Sequence, residues 1–456
     1  MNKDSIAVLG FGKTGQAVLE FLLAHEAQAV LVVFNDGEIQ DRERRQAFER
    51  RGVRFLIGAE KFAELGSSRL VIMSPGFDGK SPRFAALRAG GVNVVSEIEY
   101  AFNQIRAKII AVSGSNGKST TVSLIHHLLT RAGRKSVLAG NIGVPFIAQA
   151  AEIVEDSVVV LELSSFQLEE ILQFRADVAV LLNITPDHLD RYPSMEAYAA
   201  AKFNLFKNQR PGDCMVLNAD DPRLVDAQKL SPGKPLWFSA ARALDEGAFL
   251  ENHDMVLKIG PARERISLRR NPLRGIHNLE NIMAAALACR FVGLNGADIE
   301  SGLASFQGLP HRMETAGVVG RVEFINDSKA TNVDAALKSI TSVDGDLVVI
   351  LGGKDKGSDF SSLQKVLAKQ ARKILLLGKA APLIAAQLKG LEDKLVVVRD
   401  LNEAVRSGYE TLRQAGGTVL LAPACASFDM FTDFEHRGSV FKEEVQALRR
   451  EEIKNG

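Results

Sequence analysis

Ser113-Gly114-Ser115-Asn116-Gly117-Lys118-Ser119-Thr120-Thr121 follows the apolar run Ile109-Ile110-Ala111-Val112 and runs into an amphipathic stretch beginning at Val122. The order is strand, glycine-rich loop, helix. Gly114 and Gly117 let backbone N–H groups close around phosphate oxygens, with Ser115 and Asn116 between them. Lys118 can reach the β- and γ-phosphates, and the hydroxyl of Ser119 or Thr120 can hold Mg2+. The strict P-loop pattern places a glycine at position 112, where this chain has Val112, so the loop is a shortened variant. The stretch predicts a nucleoside triphosphate site, with ATP and Mg2+ as ligands.

Outward from this loop, apolar runs alternate with helical patterns: Ile6 to Gly10, Val30 to Phe34, Leu70 to Ser74, Val158 to Leu163, Val178 to Asn183 and Met215 to Asn218. They resume at Val322 to Asn326, Leu347 to Gly352, Ile374 to Gly378, Leu395 to Val398 and Thr418 to Ala422. Continuous Val/Ile/Leu runs with helices between them predict parallel sheets covered on both faces, an α/β fold. At 456 residues the chain is too long for one core. Three tandem units fit: a Rossmann-like unit over 1–96, a central P-loop unit over 97–308, and a second Rossmann-like unit over 309–456. Short alternating segments between Pro232 and Leu268 predict a small antiparallel insertion in the central unit.

Lys plus Arg (56) balances Asp plus Glu (55), which excludes a broad field for nucleic acid or anionic membrane. The start lacks the apolar core of a signal peptide, and no apolar stretch approaches the roughly 20 residues of a membrane span. Cys214, Cys289 and Cys425 lack metal spacing, which suits a reducing cytoplasm. Cys425 reads as a small buried thiol, and His126 and His127 as structural residues.

Gly10-Phe11-Gly12-Lys13-Thr14-Gly15, with Asp36 closing the next strand, is formally a dinucleotide fingerprint. A glycine turn at a helix start suits any phosphate, and Ser74-Pro75-Gly76-Phe77 ends a later strand of the same unit. In the central unit Glu162 closes an apolar strand before Leu163-Ser164-Ser165-Phe166-Gln167, a place suited to binding magnesium. Gly140-Asn141-Ile142-Gly143 and Asn183 to Tyr192, which holds His188, end two other strands. Lys202 lies on a predicted helix over Met195 to Phe206. Asn278 and Asn281 stand one turn apart at a helix start. In the last third Arg312, Lys329 and Lys356 offer cations, Thr331 and Ser427 hydroxyls, and Asp327 an acceptor for a ribose.

In this order and over nearly the whole chain, these strings resemble the Mur ligase family. The marks are Gly114 to Thr120, Glu162 to Gln167, Asp187-His188-Leu189-Asp190, His277-Asn278 with Asn281, His311-Arg312, and Asp327 to Asn332. The resemblance implies an ATP-dependent amide ligation through an acyl phosphate, on the way to peptidoglycan. The string Ser328 to Asn332 and the loop Ala424-Cys425-Ala426-Ser427 imply UDP-N-acetylmuramoyl-L-alanine as acceptor and D-glutamate as the incoming amine. Lys118, Glu162, His188 and Lys202 would then be catalytic. Ser119, Thr120, Glu162, His188 and Lys202 would serve two magnesium sites, Lys202 as a carbamate. ATP would meet Gly114 to Thr120, Asn278, Asn281, Arg312, Asp327 and Lys329.

The resemblance further places the UDP-substrate at Lys13, Thr14, Asp36, Ser74, Pro75, Gly76, Asn141, Ser164 and His188. Gly37 stands where the family pattern has a hydroxyl residue. D-Glutamate would meet Arg312, Thr331, Lys356, Ser427, Phe428 and Phe434. A monomer that closes by rotating its last domain about Leu309 to Arg312 is implied, since the reactants come from different domains. A folylpolyglutamate synthetase shares the shortened loop but lacks the leading Gly10 to Asp36 unit. A NAD-binding sensor leaves Glu162, His188 and the C-terminal loops unexplained.

Overall fold

The computed structural model describes residues 5–188, 191–273, 275–355 and 357–455, so Lys356 and the Leu189-Asp190 pair lie outside the described residues. Three sheets follow one another along the chain. The first holds β1 (Ser5–Leu9), β2 (Val30–Asn35), β3 (Arg54–Ile57), β4 (Leu70–Met73) and β5 (Asn93–Ser96), all parallel in the order β3-β2-β1-β4-β5. The second holds β6 (Lys108–Ser113), β7 (Ser136–Gly140), β8 (Val158–Glu162), β9 (Val178–Leu181), β10 (Cys214–Asn218), β11 (Lys234–Ser239), β12 (Gly247–Glu251), β13 (Asp254–Ile259) and β14 (Ala262–Ile266). Its order is β14-β13-β12-β11-β10-β9-β6-β8-β7. The third holds β15 (Glu314–Val319), β16 (Val322–Asn326), β17 (Leu347–Gly352), β18 (Ala371–Leu377), β19 (Leu395–Val397) and β20 (Gly417–Leu421), ordered β15-β16-β20-β17-β18-β19.

The α/β class and the tandem arrangement are those expected from the apolar runs. Every residue of β1, β8 and β17 is buried, as strands covered by helices on both faces must be. In each sheet the strand order reverses around a central strand, and loops diverge there to leave a crevice at the carboxyl ends. The loops after β1 and β4 carry Gly10 and Ser74. Those after β6, β8 and β9 carry the phosphate loop, Ser164 and Asn183. Those after β16, β20 and β17 carry Asp327, Ser427 and Gly353.

The insertion differs from expectation. β11 pairs parallel with β10 and extends the main sheet, and β12 joins β11 in parallel. Within this sheet antiparallel pairing is confined to β12-β13-β14, and in the last sheet β15 runs antiparallel to β16. The chain between β10 and β11 makes short 3-10 turns at Pro222–Leu224 and Ala227–Leu230, a crossover that returns β11 in the same direction. The helix Met195–Phe203 also ends earlier than expected and tightens into a 3-10 turn at Asn204–Phe206.

One apolar core runs from Ile6, Val8 and Leu19 of the first unit through Ile98, Tyr100 and Ala101 of the connecting helix to Phe146, Leu161 and Leu181 of the second. Glu99 on that helix (Glu97–Phe102) accepts N–H bonds from Leu172, Gln173 and Phe174, which fastens it to the central unit. The last unit has cores of its own on the two faces of its sheet.

Candidate active site

The helix Lys118–Arg131 opens at Gly117, whose φ of +89° is left-handed and whose absent side chain leaves the first-turn N–H groups uncapped. No acidic residue sits in that turn, so the helix end is ready for an anion. Lys118 Nζ donates to the carbonyls of Gly114 (2.8 Å) and Ser115 (2.9 Å), and burial lowers its pKa. Its ammonium thus rests on the loop it would leave for a phosphate.

Sheet register carries Glu162 to the loop, because it pairs with Val112 in β6. The residue is 2% exposed. Oε1 accepts from Asn141 Nδ2 at 2.8 Å, whereas Oε2 is buried with no hydrogen-bond partner. A buried carboxylate oxygen without a donor is costly, and a cation ligand would satisfy it. The residues present therefore fit a magnesium ion. Among the described residues no group of three or more His, Cys, Asp and Glu side chains is placed to hold a metal, so phosphate oxygens and hydroxyls would complete such a site.

Lys202 is 1% exposed and donates to Gly114 O at 2.8 Å, the carbonyl that Lys118 also uses. Burial, then the charge of Lys118, drives its pKa well below the ordinary lysine range. The neutral amine this favours is the form that reacts with CO2. Tyr198 lies beneath Lys202, 4.7 Å from Nζ to the ring centre, and its hydroxyl meets Ser115 Oγ at 3.2 Å. His188 takes a positive φ of 54°, packs on Phe166 and stands 3.7 Å from Asp187.

A cavity of about 240 Å3 joins these groups to the last unit. Residues 115–120, Asn141, Glu162, His188, Asn278, Asn281, Arg312, Asp327, Lys329 and Thr331 all line it. Arg312 Nη2 donates to Ser119 Oγ at 3.0 Å, which sets the guanidinium at the phosphate end. Asn281 Nδ2 donates to Asn278 Oδ1 at 3.2 Å, the one-turn pairing expected from their spacing. Asp327 accepts from Ser339 Oγ and from Met313 N, and burial raises its pKa. Lys329 lies over the Phe434 ring at 3.6 Å, and burial, then the charge of Arg312, lowers its pKa to about 8.

Ser427, Phe428 and Phe434 do not line this cavity. Ser427 is buried, Phe428 is 68% exposed, and Phe434 touches it through Lys329. Arg437, 1% exposed, ties the two loops together by donating to Ser328 and to the Cys425 carbonyl. Cys425 is a buried free thiol, as expected.

In the first unit the helix Lys13–His25 likewise opens at an uncapped glycine, Gly12. Lys13 Nζ donates to the Gly143 carbonyl across the unit boundary. The segment from Asn141 to Gly143 thereby touches Glu162 at one end and Lys13 at the other. Asp36 is held in a two-pronged pair by Arg83, at 2.7 and 2.9 Å, and this lowers its pKa. Ser74 Oγ is buried without a hydrogen-bond partner beside Gly10. Ser164 caps the helix Ser165–Glu169 in a reciprocal pair with Gln167. His126 and His127 each hold a structural bond, the first with Ser136 Oγ, the second with Gly302 O and Ser305 Oγ.

The sequence placed Asn183 at a strand end without giving it a role, and did not single out Asp334. Asn183 both accepts from and donates to the Asn116 backbone, and Asp334 accepts from Asn116 Nδ2 at 2.8 Å. The strand end marks Asn183 as a candidate, and its side-chain amide is the signal for a loop partner, whereas Asp334 gives no sequence signal.

Residues 4–96 match the family of the Mur ligase MurD-like N-terminal domain, 112–289 the Mur ligase middle domain, and 311–425 the Mur ligase glutamate ligase domain. The chain belongs to the Mur ligase family. Two relatives of this Mur ligase are both named UDP-N-acetylmuramoylalanine--D-glutamate ligase. That of Alkaliphilus oremlandii (strain OhILAs) is 39% identical over 456 residues, covering 99% of this chain and 100% of its own. That of Solibacter usitatus (strain Ellin6076) is 40% identical over 441 residues, 97% of each. The fold of this Mur ligase is similar to a pseudomurein peptide ligase type C from Methanothermus fervidus, at TM-score 0.61 and 16% identity, covering 98% and 100% of the two chains. It is also similar to the UDP-N-acetylmuramate-alanine ligase MurC from Thermotoga maritima, at TM-score 0.60 and 19% identity, covering 97% and 99%. No helix among the described residues is long and apolar enough to cross a membrane.

Proposed function

We propose that this Mur ligase joins D-glutamate to UDP-N-acetylmuramoyl-L-alanine, converting ATP to ADP and phosphate in a step of peptidoglycan synthesis. The observation that carries the reaction type is one cavity in which an uncapped phosphate loop, a buried carboxylate with an unmet oxygen and the cations Arg312 and Lys329 converge. The choice of D-glutamate follows the names of relatives spanning the chain from end to end.

The acceptor carboxylate attacks the γ-phosphorus of ATP and ADP leaves. The amine nitrogen of D-glutamate then attacks the acyl carbon, phosphate leaves with the C–O bond electrons, and the nitrogen loses a proton. The chain supplies no nucleophile. Its task is to align two substrates and stabilise charge, with Lys118 and Arg312 facing the transferring phosphoryl oxygens. Ser119 or Thr120 with Glu162 would hold magnesium, and His188 with carbamylated Lys202 a second ion, whose charge neutralises the phosphates. Lys13, Thr14, Asp36 and the Ser74 loop would take the uridine diphosphate, with Asn141 and Ser164 on its path to Glu162. Asn278, Asn281, Asp327 and Lys329 complete the ATP site. Thr331, Lys356, Ser427, Phe428 and Phe434 take D-glutamate together with Arg312. The units of this reading are 1–96, 97–308 and 309–456, in a monomer working in the cytoplasm.

The test is ADP release with ATP, Mg2+ and UDP-N-acetylmuramoyl-L-alanine, comparing D-glutamate with L-glutamate, L-alanine, L-lysine and meso-diaminopimelate. Release that requires D-glutamate is the expected result. Release with another amine refutes the specificity, and release with none refutes the ligase.

A further inference from the structure

The side chain of Asn116, at the tip of the phosphate loop, is spent on the last unit. Its Nδ2 donates to Asp334 Oδ2 at 2.8 Å, and its Oδ1 accepts from Asn332 Nδ2 at 3.1 Å. Thr185, at the neighbouring strand end, joins the cluster: Asn116 Nδ2 reaches its hydroxyl at 3.2 Å, and that hydroxyl faces Asp334 Oδ2 at 3.4 Å. Asn332 also reaches Asp187 at 3.4 Å. The backbone of Asn116 is fixed from the opposite side by Asn183. Asn332 caps the helix Val333–Thr341 through Ala335 N, and Asp334 lies in its first turn with Lys338 at 3.2 Å.

We propose that Asp334 is a positioning residue: with Asn332 it forms a latch onto Asn116 and Thr185 that sets the register between the acyl-phosphate side and the amine side of the reaction. The inference rests on the ligase reading. Thr331 immediately precedes Asn332, and Lys329 lies on the same loop. Any slip at the latch therefore displaces Thr331, assigned to the incoming amine, and Lys329, assigned to ATP, by a similar distance. Attack needs the nitrogen and the acyl carbon at roughly 3 to 3.5 Å, and a misplacement of about 1 Å costs on the order of 100-fold in rate. A carboxylate suits the task, because it accepts from Asn116 and Thr185 together and drops both when the unit swings away.

The test uses the full-length protein with Asp334→Ala, Asp334→Asn and Thr185→Val. Asp334→Ala should lower kcat by about 10- to 100-fold while KM for the UDP-substrate stays within about twofold. Asp334→Asn keeps an acceptor oxygen and should recover most of the loss, which a merely electrostatic role would not permit. Thr185→Val, which leaves the Asn116 bond, should fall between. X-ray scattering with Mg2+, an unreactive ATP analogue and the UDP-substrate should show Asp334→Ala more expanded than the native protein. Native kcat together with native compaction in Asp334→Ala overturns the latch. Absence of D-glutamate ligation by the native protein overturns the ligase reading instead, and the scattering comparison still decides the latch.

Discussion

Gly117→Ala puts a number on the phosphate loop. Gly117 has φ +89°, where a side chain costs about 1–2 kcal/mol. A Cβ there would sit 2.2 Å from Asn281 Oδ1 and 3.1 Å from Leu182 Cδ1. Leu182 is in the core, so Asn281 must move, and it then loses the bond from Thr121 Oγ1 (3.3 Å) and its own bond to Asn278 (3.2 Å). Each such bond contributes about 0.5–1.5 kcal/mol, so the whole change costs roughly 2–5 kcal/mol. If it falls on the loop that shapes the nucleotide site, affinity weakens by about 30-fold to several thousandfold. Calorimetric titration with Mg2+ and an unreactive ATP analogue measures this. Gly133→Ala is the control, because Gly133 shares the left-handed conformation (φ +74°) but a Cβ there meets nothing within 4 Å. It should lower thermal stability and leave nucleotide affinity unchanged. Gly117→Ala binding nucleotide within about threefold of native would refute the account, since the steric conflict would then be relieved at almost no cost.

Two further outcomes follow from the lysines. Lys202→Ala should lose at least about 100-fold in turnover, partly restored by short-chain carboxylates. The native protein equilibrated with 13C-bicarbonate should show a carbamate carbon resonance that the variant lacks; unaltered turnover in the variant would remove the carbamate from the mechanism. Lys329, lowered to about 8, is charged below that pH and neutral above it. Affinity for an unreactive nucleotide should therefore fall as pH rises through about 8, with proton uptake on binding there, and Lys329→Arg should flatten the fall because arginine stays protonated. The linkage to stability has the opposite sense. Between about 8 and the ordinary lysine value the unfolded chain holds the extra proton, so this group makes the ligand-free fold more stable as pH rises through that window and less stable below it.

The parts of the site that are local in sequence were legible. Gly114 to Thr120 announces itself because glycine, lysine and hydroxyl must occupy adjacent positions where a strand enters a helix, and Glu162 because it closes an apolar run whose register ends beside that loop. Long buried strands such as β17 read clearly, whereas β3 and β5 span four residues each, too short to establish a period. β11 was misassigned because Pro235 and the turns before it mimic a break. Asp334 and Asn116 lie 218 residues apart, and Arg312 and Ser119 193 apart. Such contacts depend on how one unit is laid against another, which no residue pattern within either unit encodes. Lys202 was legible through resemblance alone, since a lysine on a helix is ordinarily a solvated residue and only the fold buries it against Gly114.

The two boundaries between units are held by different kinds of contact, apolar at the first and polar at the second. Between the first two units the core is continuous, and Phe21 meets Tyr100 while Phe102 meets Phe174 across the connecting helix. Parting them would expose the buried apolar surface that Ile6, Val8 and Leu19 share with Ile98 and Tyr100, a cost of several kcal/mol, while the Glu99 carboxylate keeps the connecting helix on the central unit. The last unit instead meets the phosphate loop through Arg312 to Ser119 and through Asn332 and Asp334 to Asn116. Water replaces each of these bonds at a net cost of about 1–3 kcal/mol, so a few of them hold the unit without trapping it. The cations Lys118, Arg312 and Lys329 also line one cavity, where Arg312 disfavours the charge of Lys118, and Arg312 and Lys118 together disfavour that of Lys329. Phosphate anions relieve that repulsion. On the proposed reading, bound ATP would therefore strengthen the arrangement in which the last unit sits against the loop.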